Sequence, residues 1–213
     1  MAGRFITLEG IEGAGKSTVA RFVRDWLTER GITVRATREP GGTPLAERVR
    51  ELVLNRQGET ITPATETLLM FAGRGLHVEN LIRPALERGE WVVCDRFTDA
   101  TRAYQGAGRG VSRDWIEQLA TAVQRSLQPD CTLLLDLPVA AGLERVRQRS
   151  GTRQPTDRFE EEPARFFERV RDAYLALARA EPHRIRIIDA SRNVEDVQRQ
   201  VAAVLTTLVP GRS

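Results

Sequence analysis

The sequence predicts an α/β domain: a parallel sheet of five strands with helices on both faces. Three observations carry this. Five short apolar runs alternate with longer segments of helical period. The first run leads straight into a glycine-rich turn. Proline and glycine punctuate the chain where helices should begin and end. In chain order, Arg4 to Glu9 reads as the first strand, Gly10 to Ser17 as the turn, and Val19 to Thr28 as a helix closed by Gly31. Thr33 to Thr37 is the second strand. Thr43-Pro44 and Thr62-Pro63 open the next helices, since proline's fixed φ suits a first turn and its missing N–H costs nothing there. Gly89 closes a helix before the third strand, Trp91 to Asp95. The fourth strand is Cys131 to Asp136, with Pro138 opening the helix after it, and the fifth is Ile185 to Asp189. Arg145 to Glu162 breaks the pattern, being densely charged and interrupted by Gly151 and Pro155.

At 213 residues and 23.8 kDa the chain fits one domain, 1–213. Its 41% hydrophobic and 29% charged residues describe a globular protein rather than a disordered one. No stretch approaches the roughly 20 apolar residues of a membrane span. The chain enters its first strand without a leader-like segment, so a cytoplasmic location is expected. Cys94 and Cys131 both sit within apolar runs, which argues against a disulfide framework or a cysteine metal site. The formal net charge of +3 is too small to signal a nucleic-acid partner. Of the 32 basic residues, 31 are arginine; such an excess is what codon bias produces, and against it the single lysine, Lys16, stands out.

Gly10-Ile-Glu-Gly-Ala-Gly-Lys16-Ser17 matches G-x-x-x-x-G-K-[ST] and lies where that motif works, between a strand and a helix. Its glycines let backbone N–H groups turn inward around phosphate oxygens. The helix start adds partial positive charge, Lys16 supplies a compact cation, and the Ser17 hydroxyl can ligate Mg²⁺. A nucleoside triphosphate, ATP, is the expected ligand, held by Gly10, Gly13, Ala14, Gly15, Lys16, Ser17 and Thr18, with Arg145 and Arg192 assigned to the same side. A GTPase of the N-K-x-D type is excluded, because the only lysine is already used. A small-molecule kinase and an ATP-driven or nucleic-acid-dependent ATPase remain, and the discriminator is a second set of polar groups shaped for an acceptor.

Asp95-Arg-Phe-Thr-Asp-Ala-Thr-Arg-Ala-Tyr-Gln-Gly106 supplies that set at the end of the third strand. Ligands collect at the carboxyl ends of strands in such sheets, so Asp95 can reach the Mg²⁺ beside the turn. Arg96 can take a phosphate with two parallel hydrogen bonds. If Asp99 starts a helical turn, Thr101, Tyr104 and Gln105 lie near one another and offer a hydroxyl, a ring and an amide.

This stretch closely resembles the signature of the thymidylate kinases. Three others agree: the glycine-rich turn, Thr37-Arg-Glu-Pro-Gly-Gly-Thr-Pro44, and Leu68-Leu-Met-Phe-Ala-Gly-Arg74 with His77. The resemblance covers nearly the whole chain and implies a P-loop NTPase fold of nucleoside monophosphate kinase type, strand order 2-3-1-4-5, and a homodimer without nucleic-acid or membrane partners. It implies ATP-dependent phosphorylation of dTMP to dTDP. Arg96, Arg38 and Arg50 would surround the dTMP phosphate, Phe71 would stack on thymine, Arg74 would bond its edge, and Thr101 and Gln105 would face the base. Tyr104 would crowd the deoxyribose and Glu12 would lie near the 3′-hydroxyl. Phe71 and Arg74, three apart on a predicted helix, share a face. In many relatives, however, the stacking aromatic stands four residues before the arginine, where this chain has Met70.

Some thymidylate kinases carry a catalytic arginine in the P-loop, but here that position is Gly13. Relatives with a glycine there bear the arginine on a lid, which the resemblance locates at about 147–159. Arg153 is the first candidate and Arg149 the second, since Arg158 falls in a segment that can begin the next helix.

Overall fold

The computed structural model describes residues 3–55, 58–150, 159 and 162–209, with the backbone alone at 149 and 150. Strands β1 (Phe5–Glu9), β2 (Val34–Arg38), β3 (Trp91–Asp95), β4 (Cys131–Asp136) and β5 (Ile185–Asp189) form one sheet in the order β2-β3-β1-β4-β5. Every pairing is parallel, with Leu8 opposite Asp95 on one side of β1 and opposite Leu133 on the other. The expected strands and their order are borne out. β1 is central, and its neighbours β3 and β4 belong to opposite halves of the chain. The crevice at the carboxyl ends of β1 and β3 is therefore the place where a doubly wound sheet opens. Four strands end there in carboxylates, Glu9, Asp95, Asp136 and Asp189, and β2 ends in Arg38.

Alternation along β1 decides what each face holds. Ile6 and Leu8, fully buried, pack with Val19, Val23 and Leu27 of α1 (Lys16–Thr28) and with Val201 and Leu205 from the last helix. Phe5, Thr7 and Glu9 alternate with them along the strand. Phe5 meets Phe97 edge to face, with centroids 4.9 Å apart. On that side run α2 (Pro44–Leu54) and α3 (Pro63–His77), the latter continuing through a π-helical turn, Val78–Ile82, into α4 (Arg83–Glu87). The predicted Thr-Pro starts hold: the Thr43 and Thr62 hydroxyls accept from the N–H groups of Ala46 and Thr65.

After β3 comes a short helix α5 (Thr98–Thr101) that widens into a π-helical segment, Arg102–Gly108. Its extra residue per turn is the kind of local irregularity that proteins place at functional sites. Then follow α6 (Arg113–Gln124), α7 (Val139–Ser150), α8 (Ala164–Ala180) and α9 (Val194–Leu208). The outer helices share the amphipathic rationale of α8. Its Phe166, Phe167, Val170, Tyr174 and Leu177 recur at three- and four-residue spacing and are all buried. No helix among the described residues is long and apolar enough to cross a membrane.

Candidate active site

The carboxyl edge of β1 and β3 opens into a cleft of about 520 Å³. One wall is the turn after β1. Gly15, at φ +91°, caps α1 in a left-handed conformation, and Lys16 is already the first helical residue. Lys16 is 8% exposed, and its ammonium donates to the carbonyls of Gly10 (3.1 Å) and Ile11 (3.0 Å). Burial, then the nearby Arg96 cation, pull its pKa below the ordinary lysine value, against the opposing pull of Glu12, Asp95 and Glu9.

Across from it stands Arg96, held with φ at +72°, a conformation a non-glycine residue adopts only when its surroundings impose it. Contacts to both its backbone and its side chain do so. Its N–H donates to Leu8 O, and the next N–H, of Phe97, donates to Glu9 Oε1 at 2.7 Å. The guanidinium is gripped by Glu12 Oε1 (2.7 Å), the Tyr104 hydroxyl (3.0 Å), Gly10 O (3.1 Å) and the Tyr174 hydroxyl (3.3 Å). Burial opposes its charge, but Glu12 and the neighbouring hydroxyls and Asp95 outweigh it, so Arg96 stays charged with its pKa well above the usual value. Glu9 is buried beneath, where its second oxygen accepts from the Tyr174 hydroxyl at 2.7 Å. Burial, then the Asp99 charge, push its pKa up to about 7.

Asp95 lies between these walls. Its Oδ1 is buried without a hydrogen-bond partner among the described residues, and the exposed Ser17 shares the cleft lining. A carboxylate oxygen and a hydroxyl lining one cleft suit a hard, oxygen-seeking cation such as Mg²⁺.

Most of the residues expected from sequence meet in this cleft: Glu12, Gly13, Gly15, Ser17, Thr18, Arg38, Arg50, Tyr104, Gln105 and Arg145 line it with Lys16, Asp95 and Arg96. Arg38 pairs with Glu47 (2.8 Å), Arg50 donates to Pro40 O (2.9 Å), and Arg145 donates to Ala190 O (3.2 Å). Gly10 and Ala14 belong to the same turn without lining the cleft.

Four expectations need correcting or refining. Phe71 is not in the wall; it is 2% exposed and packs on Ile116 and Ala120 of α6, while Met70, one residue earlier, lines the cleft. The physical reason is the helix rotation of about 100° per residue, which turns 70 and 71 to different neighbours. Arg74 lies behind the wall, 1% exposed, donating to Glu39 Oε2 (2.8 Å), Thr101 Oγ1 (3.0 Å) and Phe97 O (3.1 Å). Its Nη1 alone has no partner among the described residues. Thr101 is buried with it. Arg192 sits outside the cleft lining, exposed and paired with Asp189 (2.9 Å). Arg153 and Arg158 lie outside the described residues, as does the side chain of Arg149.

Sequence reading missed Glu9 and Glu39 as structural anchors. Glu39 is 4% exposed, lines the cleft and holds both Arg74 and His77 (2.9 Å to Nδ1), whose Nε2 contacts Thr37 Oγ1. A signal existed for both: each is a carboxylate at or just past the carboxyl end of a strand. Tyr174 and Glu66, from distant helices, carried none.

With the phosphate-binding turn of β1 and the arginine of β3 facing one cleft, the chain is built as a P-loop nucleotide kinase. Comparison with known proteins narrows that class. The family model described as thymidylate kinase matches residues 8–201. The thymidylate kinase of Methylococcus capsulatus is 55% identical over 98% of both chains, and that of Chromohalobacter salexigens is 57% identical over 96% of this chain and 95% of its own. The crystal structure of thymidylate kinase from Ehrlichia chaffeensis superposes with a TM-score of 0.77 at 35% identity, covering 97% of this chain and 99% of that one. The chain belongs to the thymidylate kinase family, enzymes that phosphorylate dTMP at the expense of ATP.

Proposed function

We infer that this chain transfers the γ-phosphoryl group of ATP to dTMP, giving dTDP for dTTP synthesis, and that both nucleotides meet between the P-loop and Arg96. One observation carries the placement: Lys16, at the end of the turn that follows β1, and Arg96, just past the adjacent β3, share a single cleft with Asp95. The turn from Gly10 to Thr18 takes the donor phosphates on its N–H groups, with Lys16 bridging to the transferring group. Ser17 and Asp95 would hold Mg²⁺, which would supply charge neutralisation on the donor phosphates. Arg145 and Arg192 belong to the donor nucleoside side.

The acceptor is a phosphate oxygen, so the reaction asks the protein for position and charge rather than a general base. Arg96 is fixed for this before any substrate arrives; Arg38 and Arg50, on the opposite wall, complete the cradle for the dTMP phosphate. Glu12 holds Arg96 and lies near the 3′-hydroxyl of the acceptor sugar, and Tyr104 crowds the 2′ position. Met70 flanks thymine, and Gln105, Thr101 and the free Nη1 of Arg74 read its edge. The rate-accelerating arginine comes from a lid at about 147–159. A homodimer in the cytoplasm completes the reading, both by family membership.

A coupled assay with ATP, Mg²⁺ and a panel of nucleoside monophosphates tests it, with dTMP expected to exceed dCMP, dGMP and UMP in kcat/KM. Alanine at Arg149, Arg153 or Arg158 should, in one case, cost at least about a hundredfold in kcat while sparing nucleotide binding. Parent rates in all three and in the triple variant would remove the lid arginine.

A further inference from the structure

Gln105 lines the cleft and is almost fully buried, yet only one end of its amide is engaged. Its Nε2 donates to Glu66 Oε1 at 2.7 Å, and its Oε1 has no partner among the described residues. The direction of that amide is not arbitrary. A carboxylate can only accept, so the end facing Glu66 must be the NH₂ and the other end must be the carbonyl. Glu66 is itself 1% exposed, in the first turn of α3, and its second oxygen lies 3.5 Å from Arg109 Nε. Arg109 is fixed in turn by Glu162 at 2.6 Å and by the rings of Phe159 and Phe166 beneath its guanidinium. Arg109, Glu66 and Gln105 thus form a chain of charge and hydrogen bonding that ends in a single bare acceptor.

We propose that Glu66 is a specificity-determining positioning residue. By locking the Gln105 amide with its carbonyl free, it makes the cleft select a pyrimidine that carries an N3–H donor. Thymine has that donor. Cytosine presents a lone pair at N3 and would set two acceptors against each other, a mismatch that a free amide would escape by turning over and that Glu66 forbids. Sites built around a buried polar group reject the partner that cannot satisfy it far better than apolar pockets reject a change in size. The proposal rests on Gln105 facing the base, as read above.

The test measures kcat/KM for dTMP and dCMP in the parent, in Glu66→Gln, in Gln105→Ala and in the exchanged pair Glu66→Gln/Gln105→Glu. Glu66→Gln keeps the shape but frees the amide to turn. The dTMP-to-dCMP ratio should fall by at least about tenfold, through KM for the nucleotide monophosphate, with KM for ATP unmoved. The exchanged pair restores an acceptor held by a donor and should recover most of the ratio. If Glu66→Gln lowers both activities alike, or leaves the ratio at the parent value, Glu66 is only structural and the proposal falls. Parent-like dTMP kinetics in Gln105→Ala would instead overturn the placement of Gln105 against the base. Should Glu66→Gln not fold, ¹⁵N-labelled parent protein decides. The Gln105 NH₂ protons should be protected before dTMP is added and keep their shifts afterwards; a signal that moves or gains protection only with dTMP would refute the lock.

Discussion

Gly13 of the P-loop and Gly142 on the first turn of α7 meet backbone to backbone. A Cβ on Gly13 would stand 2.3 Å from the Gly142 carbonyl oxygen, and one on Gly142 would stand 2.6 Å from the Glu12 carbonyl oxygen. The turn is therefore seated on α7, and neither side can take a side chain without moving the phosphate site. Gly13, at φ +76°, is doubly constrained, which fits a chain that keeps no arginine there.

Gly142→Ala separates the two effects, since position 142 is helical and alanine there should gain up to about 1 kcal/mol in propensity. The clash should outweigh that gain, with a net loss of about 1–3 kcal/mol and at least about a tenfold fall in kcat/KM for ATP. Denaturant unfolding and steady-state kinetics read both. A variant as stable and active as the parent would mean that the turn has room to yield.

Lys16→Arg keeps the charge in a chain that uses arginine everywhere else, and it should still fail. The ammonium fits between two carbonyls of its own turn, Gly10 O and Ile11 O, whereas a guanidinium is a wider planar fork. Single-turnover phosphoryl transfer should drop by at least about a hundredfold with the fold intact by circular dichroism; near-parent turnover would make the lysine incidental.

Much of this site was legible because it is local. The glycine-rich turn and the Asp95–Gly106 stretch are each contiguous, and a strand end fixes where they point. What was not legible depends on rotation and distance. Phe71 and Met70 differ by one step of a helix, and period alone cannot say which of two adjacent apolar residues meets the cleft. Tyr174 is 78 positions from Arg96, and nothing local marks it as anything other than one more buried residue on the apolar face of α8. Glu66 reads as an ordinary acidic residue of a first helical turn; only the folded chain brings it under Gln105.

Glu39 gives a stability test of the base side of the cleft. It is a buried carboxylate joined to Arg74 and His77 at once. Glu39→Gln leaves the Arg74 cation buried without its counter-charge, which typically costs about 3–5 kcal/mol when one partner of a buried pair is removed. Urea unfolding should show that loss, and KM for dTMP should rise as Arg74 relaxes. A loss below about 1 kcal/mol would show that Phe97 O and Thr101 hold Arg74 unaided.

Glu9 gives the pH dependence. Its carboxyl titrates near 7 in the folded chain against an ordinary value of 4.5, because burial and then the Asp99 charge disfavour ionisation more than Arg96, the Tyr174 hydroxyl and the Phe97 N–H favour it. Between those two values the folded state holds a proton that the unfolded chain has released. Stability from this group is therefore complete below about pH 4.5 and is lost as pH rises through about 7, by up to about 3 kcal/mol. Glu9→Gln imitates the protonated form, since its amide can donate to the Tyr174 oxygen while its carbonyl accepts from Phe97 N–H. Unfolding free energies of parent and variant, measured from pH 5 to pH 8, isolate the group because every other titration is common to both. The parent should lose stability relative to Glu9→Gln across that interval, most steeply near pH 6 and levelling off above about pH 7. A constant difference from pH 5 to pH 8 would mean that Glu9 is ionised throughout and that the loop bearing Arg96 is held by a permanent charge.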